Sequence, residues 1–392
     1  MAKTPLRGFA EAEFSARTER AQAGMREKGL AGLLLMTEPE VRYFTGFFTP
    51  FWQSPTRPWF LFVPVKGKPI AVIPEIGAVL MGKTWIDDIR TWAAPCPQDD
   101  GISLLRDLLQ PLAAGGESVG LMMRHETTLR MPLADFERLR AALPGLMFRD
   151  ATDLVQGLRM VKSEAEIAKI RHICGIASRS FDRVPELISE GMPFEEVFRS
   201  FRREALLQGA DEVPYLVGGA EEGGYHDVIS PPSMRPLQAG DIFMLDTGMT
   251  WDGYFCDFDR TYAVAHADAA SCRAYETLWQ ATEAGIAAAR PGATCRDVFA
   301  AMNGVLKQAG GEGGDVGRLG HGLGMQLTEV PSIAGFDETV LQENMVLTLE
   351  PSLDYGEGRL MVQEENIVIR AQGAELLTKR APERLPVIGG TA

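Results

Sequence analysis

The chain has 392 residues, of which 45% are hydrophobic and 23% charged. These proportions are ordinary for a globular protein, and at roughly 150 residues per domain the length predicts two domains. The formal charge of −14 argues against nucleic acid or an anionic membrane as partner, because either would require a basic face. Five cysteines without a C-x-x-C pair, and no apolar leader or 18-residue apolar segment, predict a reduced, cytoplasmic protein.

The first half of the chain alternates helix and strand patterns, which predicts a small α/β domain over residues 1–157 without a catalytic constellation. Its aromatic stretch Phe51–Trp59 has two interpretations of equal weight. It could cover an apolar or cationic ligand, or it could be apolar surface under a loop or at a dimer contact. The predicted elements are a helix over 11–28, strands over 31–36, 60–65 and 70–73, and helices over 102–112 and 132–142.

A second domain is predicted over residues 158–392. Ser163 and Glu166 have the spacing of a capping box, which predicts a long helix from there to about Phe181. The other predicted elements are helices near 194–207, 270–289 and 295–309, and strands over 242–247, 254–264, 345–349 and 360–369.

Two aspartates lie on a predicted hairpin of this second domain. Asp252-Gly253 is a turn signal between two apolar strands, so Asp246 and Asp257 can sit on neighbouring strands. Aspartate is unfavourable in strands and costly when buried unpaired, and a shared cation would compensate both. Asp259 lies two residues beyond Asp257, on the same strand face, so either could be the ligand. Arg260 offers a cation to neutralise the other.

Three further segments carry candidate ligands. His321 stands between two glycines, which lets it approach an ion closely, and Glu350 ends an apolar strand before a proline. Glu364 and Glu365 are adjacent inside another apolar strand, so one faces the site and the other faces away. Carboxylates with one imidazole suit manganese, cobalt, iron or zinc, and two such ions can share bridging carboxylates.

Together these segments resemble the metallopeptidase family of methionine aminopeptidase, Xaa-Pro dipeptidase (prolidase), aminopeptidase P and creatinase. The segment Arg42–Phe47 is similar to the family's accessory domain, and Leu158–Ser163 is similar to the entry of its catalytic domain. The resemblance implies an α+β fold, in which a pita-bread catalytic domain follows a smaller α/β domain of the creatinase/prolidase type. It also implies a homodimer.

The resemblance implies the roles of particular residues. The family's motif of aspartate, two residues and Arg-Thr prefers Asp257 to Asp259, and an acid followed by asparagine prefers Glu364 to Glu365. Glu350 is implied as the base that takes a proton from water, and His226 as a catalytic histidine on the substrate side. The implied metal ligands are Asp246, Asp257, His321, Glu350 and Glu364.

One position departs from the family's peptidases, which usually carry a second histidine seven residues after the ligand histidine. Here that residue is Thr328, which cannot titrate near pH 7. Three functions follow in order of preference. The first is an Xaa-Pro dipeptidase-like metallohydrolase with two divalent ions, manganese before cobalt, iron or zinc. The second is a creatinase-like non-peptide C–N hydrolase or a lyase acting on a small osmolyte-like molecule. The third is a binding protein on a peptidase fold.

Overall fold

The computed structural model describes residues 4–54, 57–310 and 317–389. The chain divides into two compact units: one spans Leu6–Arg159, and the other is formed by Met160–Ala392 with the short stretch Met1–Pro5. The sequence-based boundary between residues 157 and 158 stays a prediction.

The first unit is built on a mixed six-stranded sheet with the strand order β4-β3-β2-β1-β5-β6. β2 runs antiparallel to β1 and β3, and the remaining neighbours are parallel. Its elements are α1 (Glu11–Lys28), β1 (Gly32–Leu35), α2 (Glu38–Thr45), β2 (Phe60–Pro64), β3 (Ile70–Pro74), α3 (Ala78–Met81), β4 (Asp88–Trp92), α4 (Ile102–Ala114), β5 (Ser118–Leu121), α5 (Leu133–Ala142), β6 (Met147–Asp150) and α6 (Thr152–Met160).

Every helix and strand predicted in this unit is confirmed to within two residues. α1 ends where Gly29 adopts a left-handed conformation with φ 63°, and its amide closes the helix on the carbonyl of Arg26. The sequence analysis missed β4, β5 and β6, of which β4 and β6 carry charged residues and β5 has only four residues. These short strands are fixed by pairing within the sheet rather than by their own hydrophobic pattern.

The aromatic stretch over residues 51–59 is packed within the first unit. Trp59 is only 1% exposed, and its ring lies 5.5 Å from that of Trp52. The guanidinium of Arg130 donates hydrogen bonds to three backbone carbonyls of the stretch and lies over the Trp52 ring. Pro55-Thr56 lies outside the described residues. The described part is therefore an aromatic cluster held by one arginine.

The second unit contains two mainly antiparallel sheets, a two-stranded ribbon and the helices that cover them. Its elements are α7 (Glu164–Asp182), α8 (Val184–Leu187), α9 (Phe194–Gln208), β7 (Glu212–Glu222), β8 (Asp241–Trp251), β9 (Tyr254–Phe255), β10 (Phe258–Val264), α10 (Ala269–Ala288), α11 (Cys295–Gln308), β11 (His321–Gly322), β12 (Glu329–Ser332), β13 (Val346–Leu349), β14 (Ser352–Asp354), β15 (Leu360–Val362), β16 (Glu365–Arg370), β17 (Gly373–Leu376) and β18 (Val387–Ile388).

One sheet has the order β18-β10-β8-β7, with β9 paired to β8, and the other has the order β12-β11-β13-β16-β17. α10 and α11 pack on each other and contribute buried apolar residues to a core shared with both sheets. The predicted capping box is confirmed: the Ser163 hydroxyl accepts from the Glu166 amide, and the Glu166 carboxylate accepts from the Ser163 amide.

Two strands predicted as continuous are broken, and that part of the prediction is wrong. The run over 254–264 divides into β9 and β10, with Cys256-Asp257 between them. The run over 360–369 divides into β15 and β16, with Gln363-Glu364 between them. In the second case the strand changes partners, because β15 pairs with β14 whereas β16 pairs with β13 and β17. A candidate ligand thus lies at each break.

Candidate metal centre

Asp246 lies near the middle of β8, and the tight turn at Asp252-Gly253 folds the chain back beside it. Both turn residues have positive φ, 49° and 75°, which matches the twist of a two-residue hairpin. The return strand β10 places Asp259 directly opposite Asp246 in the register. Tyr215 of β7 donates a side-chain hydrogen bond to Asp246, whereas the other carboxylate oxygen, Oδ1, is buried without a hydrogen-bond partner among the described residues.

Asp257 is held at the break between β9 and β10 by the side chain of Asn366. The Asp257 amide donates to Asn366 Oδ1 at 3.0 Å, and Asn366 Nδ2 donates back to the Asp257 carbonyl. Cys174 Sγ donates to the same Asn366 Oδ1 at 3.3 Å. The amide clamp supplies backbone hydrogen bonds that the interrupted strand does not, and it fixes the direction of the buried Asp257 carboxylate.

His321 faces two of the candidate acids. Its Nε2 lies 3.5 Å from Asp257 Oδ2 and 3.9 Å from Glu350 Oε2. Its Nδ1 lies 2.9 Å from the carbonyl of Gly322, so Nδ1 carries the proton and Nε2 presents a lone pair to the acids. Gly320 before it has φ 140°, and a Cβ there would fall 2.2 Å from the carbonyl oxygen of Thr348. Only glycine therefore lets the chain reach this position.

Glu364 and Glu365 point to different surroundings, as strand alternation predicts. Glu365 accepts hydrogen bonds from Arg260, Thr378 and Arg380 and from one backbone amide, so its charge is compensated. Glu364 is 1% exposed, and its Oε1 has no hydrogen-bond partner among the described residues. The structure places Glu364, and not Glu365, in the acidic cluster.

Three of the predicted ligands lie close enough together to share an ion. One ligand atom from each of Asp257, His321 and Glu364 lies within 4.8 Å of the other two. Asp246 and Glu350 border this group, since the charges of both raise the pKa of Asp257. Arg318 also acts on Asp257 and Glu350, in the opposite direction.

Burial raises the pKa of all the acids in this cluster. Removal from water raises the pKa of Asp246 and of Glu350 to about 7, and it raises the pKa of Asp257 and Glu364 well above the ordinary range, with repulsion between the carboxylates as the next cause. Burial lowers the pKa of His321 to about 4, so the imidazole is neutral at pH 7. Close-packed carboxylates beside a neutral imidazole can all be ionised together only when positive charge is added.

The donor set fits divalent metal ions. The carboxylate oxygens are hard ligands, and the neutral imidazole offers one nitrogen. One buried carboxylate oxygen each of Asp246 and Glu364 has no hydrogen-bond partner among the described residues. Such a set suits manganese, iron, cobalt or zinc. The residues that the sequence assigned to metal are therefore chemically suited to it.

His226 lies outside the group of three. Its side chain is 49% exposed, and Nδ1 lies 3.2 Å from Glu221 Oε2. The adjacent Tyr225 is buried and tied to β15: its carbonyl accepts from the Leu360 amide and its hydroxyl accepts from the Val362 amide. His226 is thereby held beside the strand that leads to Glu364.

Thr328 lies half-buried in the loop between β11 and β12. The next residue, Glu329, is paired with the buried Lys162 at 3.1 Å and accepts from the backbone amides of Met325 and Gln326. These contacts hold the backbone of the loop around Thr328.

The sequence analysis missed three residues that support the site, namely Tyr215, Asn366 and Arg318. Tyr215 lies on β7, a strand that was not predicted at all. Asn366 was noted only as part of the Glu364 motif, although its amide side chain inside an apolar run is the kind of buried polar group that must have partners. Arg318 acts on the site from a loop, and no sequence pattern marks that.

Comparison with known proteins agrees with this architecture. Residues 168–371 match the family model described as metallopeptidase family M24, and residues 17–161 match the creatinase/prolidase N-terminal domain. The chain is 29% identical over 396 residues to a probable dipeptidase PepE of Mycobacterium tuberculosis, covering 97% of this chain and 98% of that protein. It is 29% identical over 241 residues to an Xaa-Pro dipeptidase of Pyrococcus furiosus, covering 61% and 68%.

The crystal structure of dipeptidase PepE from Mycobacterium ulcerans superposes with a TM-score of 0.84 at 28% identity, covering 97% of this chain and 99% of that one. The chain belongs to metallopeptidase family M24. The predicted fold class, a pita-bread catalytic domain after a creatinase/prolidase-type domain, is confirmed, and the protein is a metal-dependent hydrolase. Among the described residues, no helix is both long and apolar enough to cross a membrane.

Proposed function

We propose that this protein is an Xaa-Pro dipeptidase-like peptidase that hydrolyses the bond before proline in dipeptides, using two divalent metal ions. The observation that carries the proposal is the group of Asp257, His321 and Glu364, buried together in a chain that is similar over nearly its whole length to a probable dipeptidase. The Xaa-Pro dipeptidase of P. furiosus supports the preference for proline.

The proposed metal ligands are Asp246, Asp257, His321, Glu350 and Glu364. Their support is the electrostatic coupling among the acids, the Nε2 lone pair of His321 and the unpartnered buried oxygens. When bound, a pair of divalent ions lowers the pKa of water and polarises the substrate carbonyl. We propose manganese as the ion, with cobalt, iron and zinc as alternatives that the same donors accept.

Glu350 is the proposed general base. Its side chain is 34% exposed, so substrate and water can reach it. A carboxylate within reach of the attacking water can accept and return a proton. His226 is the proposed donor to the scissile group, supported by its exposure and by the tie between Tyr225 and β15.

A second candidate function keeps the centre and changes the substrate. Thr328 stands where the family's peptidases usually carry histidine, and its hydroxyl can donate a hydrogen bond but cannot act as an acid near pH 7. This favours a non-peptide C–N hydrolase, or a lyase acting on a small osmolyte-like molecule.

We also propose a cytoplasmic homodimer, with the exposed apolar side chains of Leu206 and Leu207 as a candidate contact.

The test combines metal analysis with a substrate panel. The purified protein is dialysed against chelator, reloaded with manganese, cobalt, iron or zinc, and assayed with Xaa-Pro dipeptides, other dipeptides and small amides. We expect hydrolysis of Xaa-Pro dipeptides only after reloading. Full activity of the metal-free protein would refute metal-dependent peptidase action, and turnover of small amides alone would favour the second candidate.

Restoring the histidine separates the two candidates further. If the chain is a peptidase, Thr328→His should raise Xaa-Pro hydrolysis, because general acid assistance is worth about 10²–10⁴-fold in rate. Thr328→Ser keeps a hydroxyl and serves as the matched control. No gain in peptidase activity from Thr328→His would support different chemistry.

A further inference from the structure

Asp259 is a buried carboxylate that the proposed ligand set leaves without a role. It is 1% exposed, and neither of its carboxylate oxygens has a hydrogen-bond partner among the described residues. Other buried acids nearby have partners: Asp241 on β8 is bound by Arg235 through two hydrogen bonds, and Glu365 is bound by Arg260. A buried, unpaired carboxylate is among the most costly groups in a protein interior.

The charge of Arg260 lowers the pKa of Asp259, but among the described residues the Asp259 carboxylate receives no hydrogen bond from it. Its guanidinium donates to the backbone carbonyl of Asp259 and to the carboxylate of Glu365, and it lies over the ring of Phe258. Phe258 and Arg260 thus share one face of β10. Because strand neighbours alternate, Asp259 faces the other way.

That other face carries the acidic cluster. Asp259 is the register partner of Asp246 across the antiparallel pair of β10 and β8, so the two side chains project from the same side of the sheet. Directly opposed residues have Cβ atoms about 4.5–5.5 Å apart, a separation that two carboxylates binding one cation can span. The side chains of Asp259 and Asp246 can therefore reach the same ion.

We propose that Asp259 is a sixth protein ligand of the metal centre and that it contributes a carboxylate oxygen to the ion held by Asp246. The inference rests on the proposed two-metal centre but not on the identity of the substrate. With Asp259 included, five carboxylates supply five negative charges against the four positive charges of two divalent ions. An additional hard, anionic oxygen strengthens the hold on that ion and favours oxygen-preferring ions such as manganese over softer ones.

The direct test is the number and affinity of bound ions, measured by elemental analysis after dialysis and by calorimetric titration with Mn²⁺. Asp259→Asn removes the charge and keeps the shape. We expect the wild-type protein to bind two ions and Asp259→Asn to bind one of them at least about 10-fold more weakly, the lower limit for losing even an outer partner of a metal site. The rise in melting temperature on adding Mn²⁺ should shrink accordingly.

Asp241→Asn is the matched control, because it removes a buried aspartate from the same sheet whose charge Arg235 already compensates. It should lower stability and leave both ions bound. Circular dichroism checks that each variant folds, and Asp259→Ser provides a second, smaller neutral side chain if the asparagine is not tolerated.

A Mn²⁺-loaded crystal structure of the wild-type protein tests the inference without any substitution. An Asp259 oxygen about 2.2 Å from an ion is the expected result. The inference is overturned if Asp259 lies clear of both ions, or if Asp259→Asn binds two ions with affinities indistinguishable from those of wild type. If the wild-type protein itself binds no divalent ion, the proposed function fails, and that outcome is separate from the loss of one ion in a single variant.

Discussion

Glu40 in the first unit and Glu364 in the second are both almost completely buried, yet their surroundings differ in kind. Glu40 accepts from Arg159 at 2.6 Å, and both side chains are at most 6% exposed. Glu364 is coupled to other acids, Asp257 first among them. A buried acid beside arginine contributes to folding, whereas a buried acid among acids indicates a cation supplied from solution.

Replacement of glutamate by glutamine should therefore affect metal binding and activity at Glu364, and stability at Glu40. For Glu364→Gln we expect hydrolysis to fall on the order of 10³-fold, because the Lewis-acid contribution of a metal ion is several kcal/mol. Bound metal should fall with it, while the unfolding transition of the metal-free protein is not lowered. Steady-state kinetics and elemental analysis measure the two effects, and unchanged metal content would contradict the assignment.

At Glu40 the effect should be on stability alone. Glu40→Gln removes the carboxylate charge that Arg159 contacts, and we expect a loss of about 3 kcal/mol in the free energy of unfolding. Chemical denaturation measures this loss, and metal content serves as the internal control. A fall in bound metal without a change in stability would reverse the comparison.

Asn366 lies between these two cases, since it contacts the proposed ligand Asp257 but is not itself a proposed ligand. Asn366→Ala removes both hydrogen bonds that clamp the backbone of Asp257, and we expect the affinity for Mn²⁺ to fall about 10–100-fold. Cys174→Ser, which changes the neighbour of Asn366 without breaking the clamp, is the control. Equal affinities for Asn366→Ala and Cys174→Ser would show that the clamp does not orient the ligand.

The smallest expected effect is on the pH dependence of the metal-free protein. The folded-state pKa of Asp246 and of Glu350 is raised from 3.8 and 4.5, respectively, to about 7. At pH values between the unfolded and the folded pKa, the folded protein therefore holds more protons than the unfolded chain. Stability should then fall as pH rises from about 5 to 7. The pKa of His321 is lowered from 6.5 to about 4, so its contribution to stability rises with pH. This is one group against several acids, and the acids therefore determine the net trend.

We expect a net loss of about 1–2 kcal/mol over this interval, because water screens the partly exposed Glu350. Thermal unfolding at a series of pH values, with chelator and with Mn²⁺, measures it. Saturating metal should abolish the decline, and a metal-free protein that gains stability from pH 5 to 7 would contradict the electrostatic description of the cluster.

The helices could be predicted correctly because they depend on local signals that the tertiary structure does not override. The capping box at Ser163 and the left-handed Gly29 are such signals, since the side chain or backbone that ends the helix is next to it in the sequence. β7 was missed for the converse reason. Its eleven residues include Pro214, Gly218 and Gly219, which disfavour strands, and its long pairing with β8 outweighs them.

The types of residue in the candidate site could be predicted from the sequence, but their surroundings and the local backbone could not. Alternation showed that Glu364 and Glu365 face opposite sides, but only the positions of Arg260 and Thr378 show which side is compensated. The break between β15 and β16 depends on which sheet each half joins, and no local pattern encodes that choice. The ligand assignments themselves stay predictions until metal is measured.

Glu329 fastens the end of the loop that carries Thr328, through Lys162 and two backbone amides. The backbone of this loop is thus held by a residue next to position 328 and not by the side chain at 328. A substitution at position 328 can therefore change the side chain on this loop while its main chain and the proposed metal ligands stay in place. Position 328 is accordingly a site where related enzymes could diverge in substrate by a single amino-acid replacement, without first losing and rebuilding their catalytic centre.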